Sequence, residues 1–216
     1  MYFEYGDMEV EYLKKKDKKL AEAIEKIGPI EREVDTDLFS SVVHHIVGQQ
    51  ISTAAQKTIW NRMNSSLGEI NVETINSASP DELQSNGITF RKADYIKDFA
   101  RKVYTGEFDI LSIENKSDEE IIEELVKLKG IGLWTAEMIL IFGLQRKNVF
   151  SFGDLAIHRG LRMLYRHRKI TEELFEKYRR RYSPYGSVAS LYIWAISGGA
   201  IPEMKDCAPK KIVKKK

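Results

Sequence analysis

The sequence predicts an all-α fold of about ten helices. Three observations point there. Apolar residues recur at helical spacing in nearly every segment. Ser, Thr or Asp opens most segments, and Gly or Gly-Pro closes them. No alternating apolar–polar run persists, and no Asn-Gly or Asp-Gly turn sits between strand-like stretches.

LAEAIEKIG (20–28) is amphipathic and stops at Gly-Pro. DTDLFSSVVHHIVGQQIS (35–52) opens on Asp35, Thr36 and Asp37, all fit to cap, and Leu38, Val42, Val43, Ile46 and Val47 follow helical spacing. STAAQKTIWNRMNSSLG (52–68) runs from a Ser52 cap to Gly68, with Trp60 read as core. SPDELQSNG (79–87) has an early Pro and reads Asn86-Gly87 as its C-cap. RKADYIKDFARKVYTG (91–106) also ends in Gly. SDEEIIEELVKLKG (117–130) carries a capping box, Ser117 with Glu120. LWTAEMILIFGL (133–144), DLAIHRGLRMLYRH (154–167), TEELFEKYRRRYSP (171–184) and the apolar YGSVASLYIWAISGG (185–199) complete the series.

With 216 residues and 43% apolar content, the chain suits one large or two small domains. Cys207 is its one cysteine, so an internal disulfide and a Cys-rich metal or cluster site are excluded. No apolar run reaches the length of a membrane span, and MYFEYGDMEVEYLKKKD lacks a secretory core. A cytoplasmic protein is expected, nucleoid-associated if prokaryotic. The net charge of +2 hides an asymmetry: residues 145–216 carry 17 Lys+Arg and 6 Asp+Glu. That excess suits a polyanionic partner, and equally a solvated helical face with a basic tail.

Two features carry chemistry. In LKGIGLWTAEM, Gly130 and Gly132 bracket a turn between two helices. Glycine tolerates positive φ and close backbone approach, and a new helix presents unpaired amides and a positive dipole end. Such a turn can seat a DNA phosphate; it can also be a tight helical turn with a packing glycine. In VFSFGDLAIHRG, the lone acid Asp154 stands among apolar and basic neighbours. It can be a buried functional carboxylate, a helix N-cap, or both.

LKGIGLWTA resembles the helix-hairpin-helix element of the HhH-GPD DNA glycosylase superfamily, and VFSFGDLAIHRG resembles the segment carrying that family's catalytic Asp. HHIVGQQIS (44–52), GITFRKADYI (87–96) and SLYIWAISGG (190–199) look like segments of its 3-methyladenine DNA glycosylase II branch. Where family versions carry Phe-Pro and Asp-Asp, this chain has Phe-Ser-Phe-Gly-Asp, and Asp154 keeps its register.

The resemblance implies two helical lobes with a catalytic cleft between them. Residues 37–144 would form the central lobe, ending in the hairpin at about 118–144. Residues 145–209 would form the other lobe with segment 1–36 packed on it, and 210–216 would be a disordered basic tail. Asp154 would be catalytic. Trp134, Trp194 and Tyr192 would line the base pocket, although Trp at helical spacing is usually core. Gln50, with Gln49, would fill the gap left by a flipped base; a Gln capping the helix is the plainer reading. Gly130, Gly132, Leu133, Thr135, Arg159 and Arg162 would meet DNA, Arg166 would extend the basic stripe, and Arg91 and Lys92 would face the backbone or solvent.

The strand-cutting members carry a Lys where this chain has Trp134, so a monofunctional enzyme using water is expected. No iron–sulfur cluster and no required cofactor are implied. Main-chain carbonyls of Val126, Leu128 and Ile131 would hold at most a monovalent cation. The expected activity is release of alkylated purines, 3-methyladenine and also 7-methylguanine, from damaged double-stranded DNA by a monomer in base excision repair. The rivals are a glycosylase for hypoxanthine, uracil or an oxidised purine, a non-catalytic DNA-binding module, and a helical scaffold.

Overall fold

The computed structural model of the chain describes residues 1–209; the tail at 210–216 lies outside the described residues. Among the described residues there are twelve α-helices, one short 3-10 turn at Ile113–Asn115 and no strand. Tyr2 and Glu33 form an isolated antiparallel bridge. No helix there is long and apolar enough to cross a membrane. The chain divides into two compact units, Val34–Gln145 with Met1, and Tyr2–Glu33 with the described residues from Arg146 onward.

The first unit holds α3 (Leu38–Gly48), α4 (Thr53–Leu67), α5 (Val72–Ser77), α6 (Pro80–Ser85), α7 (Phe90–Tyr104), α8 (Asp118–Leu125) and α9 (Leu133–Phe142). Helix α3 is central, packing on α4, α7 and α9. Its Val42, Val43, Ile46 and Val47 are buried, as are Ile139, Leu140 and Ile141 of α9. Phe39 stacks on Phe99 of α7 with ring centroids 5.0 Å apart. The cap signals place most starts. Asp37 accepts from the Ser40 amide at 2.6 Å, Ser52 from Ala55 at 3.2 Å, and Ser117 with Glu120 closes the expected box.

The second unit holds α1 (Asp7–Lys16), α2 (Lys18–Ile27), α10 (Leu155–Tyr165), α11 (Glu172–Tyr182) and α12 (Gly186–Gly198). Helices α10 and α12 cross closely because Gly160 has no side chain. A Cβ there would lie 2.3 Å from the Ile193 carbonyl oxygen. The N-terminal helices are tied in by polar contacts: Lys147 to Glu9 at 2.7 Å, the Tyr12 hydroxyl donating to the Ser183 carbonyl at 2.6 Å, and Arg181 to Asp17.

Two helices escape the sequence reading. Helix α1 is dominated by charge, and only Glu9 and Leu13 are buried along it. Helix α5 has six residues, too few for a periodic signal; a reciprocal Asn71–Thr74 box holds its start. Helix α8 ends at Leu125, short of the expected limit, because the Lys127 amide bonds Glu124 and the Leu128 amide bonds Leu125, tightening the chain into a turn. Trp60, expected as core, is half-buried, with its ring 4.6 Å from that of His44.

Candidate functional site

In the first unit the site is the turn between α8 and α9. Leu128 and Ile131 are buried and pin the turn down, while Gly130 and Gly132 stay exposed. The two glycines do different work. Gly130 has φ +79°, and a Cβ there would sit 2.2 Å from Cδ2 of Tyr95. Its carbonyl accepts a 2.7 Å hydrogen bond from Nε2 of Gln49. Gly132 is the N-cap of α9 with φ −96°, and nothing lies within 4 Å of a Cβ built on it. No side chain caps α9, so its first-turn amides and positive dipole end point out beside Gly132. Leu133 is 56% exposed and Trp134 is 43% exposed at this helix start.

Lys92 of α7 braces the end of α3, from which Gln49 reaches the turn. Its ammonium donates to the Val47 carbonyl at 2.7 Å and the Gln49 carbonyl at 2.6 Å, capping the C-terminus of α3. Burial pushes its pKa below the ordinary lysine range, and the Arg91 charge adds to this. Lys92 is therefore a brace, not a DNA-facing or merely solvated cation. Sequence spacing carries no sign of this, since its partners lie on another helix. Lys92→Met keeps the apolar stem and removes both bonds. It is expected to lower unfolding free energy by about 2 kcal/mol in urea melts. Next to the brace, Gln50 is exposed in the left-handed region at φ +58°, an uncommon state for a residue with a Cβ.

In the second unit the site is the start of α10. Asp154 is its N-cap: Oδ1 accepts from the Ala156 amide at 2.7 Å and the Ile157 amide at 2.9 Å. The residue is only 6% exposed, so its carboxylate is held in one orientation inside the fold. The loop before it is tied back by His158, one turn into α10. Its Nε2 lies 2.8 Å from the Phe152 carbonyl oxygen, where the Nε2–H tautomer donates. The imidazole ring lies 5.0 Å from the Phe152 ring and 5.8 Å from Phe175. Trp194 is half-buried on α12.

Three expected contact residues are used otherwise. Thr135 is 6% exposed, so its side chain faces the interior and only its backbone belongs to the helix start. Tyr192 is 1% exposed, with its ring edge-on to Tyr5, which makes it core of the second unit. Arg162 closes a two-bond fork on Asp206, Nε to Oδ1 at 2.7 Å and Nη2 to Oδ2 at 2.6 Å. That guanidinium holds the Asp206 carboxyl below the usual carboxylate range. Arg159 stays exposed. Of the expected residues, Trp134 and the Gln49–Gly130 contact belong to the first unit, Asp154 and Trp194 to the second.

The glycine turn between α8 and α9, with the second helix starting uncapped, makes a helix-hairpin-helix. The chain belongs to the HhH-GPD superfamily of base excision DNA repair proteins, whose model matches residues 43–184. Among relatives, DNA-3-methyladenine glycosylase 1 of Schizosaccharomyces pombe is 33% identical over 80% of this chain and 78% of its own length. A Bacillus subtilis relative, 27% identical over 74% of this chain, is longer, and the match covers 59% of it. Among solved structures, a DNA-3-methyladenine glycosidase of Bacillus halodurans superposes with a TM-score of 0.81 at 31% identity, covering 96% of this chain and 97% of that one. The S. pombe 3-methyladenine DNA glycosylase (Mag1) in complex with abasic DNA gives 0.77 at 28% identity, covering 87% and 95%.

Proposed function

We propose that the protein is a monofunctional DNA glycosylase that hydrolyses the N-glycosidic bond of alkylated purines in duplex DNA, 3-methyladenine first and 7-methylguanine with it. The observation that carries this reading is Asp154, a buried carboxylate oriented by two amides at a helix start. As the base departs, positive charge develops on the deoxyribose. A fixed carboxylate beside the sugar stabilises that charge and orients the attacking water. The position after the hairpin where a lyase needs an amine holds Trp134, so no Schiff base forms.

A base must leave the stack before it is cut. An alkylated purine is cationic, and the indole face of Trp194, in the same unit as Asp154, attracts it. The amides at the start of α9 and the exposed Arg159 hold phosphates. Gln50 enters the duplex where the base has left, its exposed left-handed position projecting it from the end of α3. The reaction needs no cofactor. Carbonyls of Val126, Leu128 and Ile131 are neutral oxygen donors and fit a monovalent cation; the Leu128 carbonyl, which accepts the Ile131 amide at 3.2 Å, keeps a second lone pair for it. The protein acts as a monomer on damaged DNA in the cytoplasm.

The test is incubation with methylated duplex DNA and chromatography of the released bases. Release of 3-methyladenine leaving uncut abasic sites is expected. Release of another base alone would place the enzyme on a different lesion, and DNA binding without release of any base would make it a binding module.

His158 supplies a finer test. Its bond to the Phe152 carbonyl steadies a loop that lacks the family's Pro before Asp154. His158→Ala is expected to slow single-turnover base release about tenfold with duplex affinity unchanged, since small misplacements of a reacting group are costly. His158→Gln, which can donate the same bond, restores most of the rate. An equal loss in both variants would show that the bond is not what matters.

A further inference from the structure

The far end of α10 carries a second concentration of charge. Lys18 and Lys19 at the start of α2, Arg166, Arg168 and Lys169 after α10, and Lys177 on α11 are all exposed. Among the described residues none of these six forms an ion pair, although Glu22 and Glu173 are their neighbours in sequence. The three segments converge on one aromatic base. Lys19 Nζ is 5.8 Å from the Tyr165 ring centroid, and that ring stacks on Tyr178 at 4.2 Å. The Tyr165 and Tyr182 hydroxyls are 2.5 Å apart, and His167 Nε2 meets the Tyr178 hydroxyl at 2.8 Å. Burial, then the Lys19 and Lys177 charges, lowers the His167 pKa.

Part of this charge has a local reason. Arg166, at the C-terminal cap of α10, complements the negative end of that helix. Lys18 and Lys19 have the opposite relation. They occupy the first two positions of α2, at the positive helix end, and the acid at that end, the N-cap Asp17, is buried and pairs with Arg181 rather than with them. Residues that break a local rule without an internal gain mark a surface shaped by something outside the fold. A surface of exposed cations without ion pairs fits a polyanion with regularly spaced charge.

We propose that this surface is a second contact for the phosphate backbone of duplex DNA, engaging the duplex beyond the stretch served by Asp154. The eleven residues of α10 separate the two places by about 16 Å, the rise of roughly five base pairs. The contact contributes affinity for undamaged DNA without base specificity, and it does not depend on the identity of the lesion or on catalysis.

The experiment is fluorescence anisotropy of undamaged labelled duplex against salt concentration, for the wild type, Lys18→Glu/Lys19→Glu and Arg168→Gln/Lys169→Gln. Each double variant is expected to bind about tenfold more weakly at low salt, with the slope of log K against log salt reduced by about 2. Acids at the start of α2 suit the helix dipole and offset the lost Lys19–Tyr165 contact, so the first variant is expected to melt close to the wild-type temperature, which separates lost binding from lost folding. Unchanged affinity and slope in both variants would overturn the proposal and leave the patch a solvated face. Because no base release is read, the result stands apart from the glycosylase assignment.

Discussion

Replacing Asp154 with Asn is expected to reduce base release by roughly 10³-fold, the scale of removing a preorganised charge from a transition state. Folding and duplex affinity are expected to persist. Asn is as good an N-cap as Asp, so its side-chain oxygen can keep the bonds to the Ala156 and Ile157 amides. The variant therefore removes the negative charge and keeps the geometry. Asp154→Ala loses both and is expected to cost about 1 kcal/mol of stability in addition. Single-turnover release from methylated duplex, read beside a thermal melt, distinguishes the two roles. If the Asn variant releases base at the wild-type rate, Asp154 is a cap and nothing more, and the catalytic assignment falls.

The hairpin glycines are expected to fail in opposite ways. Gly130→Ala places a methyl group 2.2 Å from the Tyr95 ring at φ +79°. The left-handed backbone costs Ala roughly 1–2 kcal/mol and the overpacking about 1–3 kcal/mol more, so a loss near 3 kcal/mol in urea is expected. Gly132→Ala meets nothing within 4 Å and has an ordinary φ of −96°. Its stability is expected to fall by no more than about 1 kcal/mol, the difference of a poorer cap. Its affinity for undamaged duplex, however, is expected to drop about tenfold, because the methyl stands where a phosphate must approach the α9 amides. A Gly132→Ala protein that binds DNA as the wild type does would mean that no phosphate seats there.

The pair also illustrates what could be read from the chain. Caps and stops are local: Ser52, Ser117 and Thr171 act within three residues of themselves, and their helices follow. The hairpin and Asp154 were legible for the same reason, each being a short stretch with its own backbone chemistry. The distinct need for Gly130 was not, because the ring that demands it belongs to α7. Lys92 looks like any surface lysine until α3 ends beneath its ammonium. Arg162 has the right spacing for a basic stripe, but its partner Asp206 comes from the segment after α12. Tyr192 and Thr135 stood in suggestive motifs, yet periodicity alone does not say which face of an apolar helix is covered. Helix α1 failed for the converse reason, since packing against the rest of its unit, not amphipathic contrast, secures it.

The meeting of Gly160 with the Ile193 carbonyl has a consequence for how this enzyme can change. It fuses α10 and α12 into one piece, with Asp154 at the start of one helix and Trp194 one residue past the contact on the other. The Asp154 carboxylate and the Trp194 indole thus share a foundation, and neither helix can slide without carrying the other. A lineage or an engineer altering this part of the surface is therefore confined to exchanging side chains on a fixed chassis, Trp194 among them. Repositioning either helix would displace the Asp154 carboxylate and the Trp194 indole together.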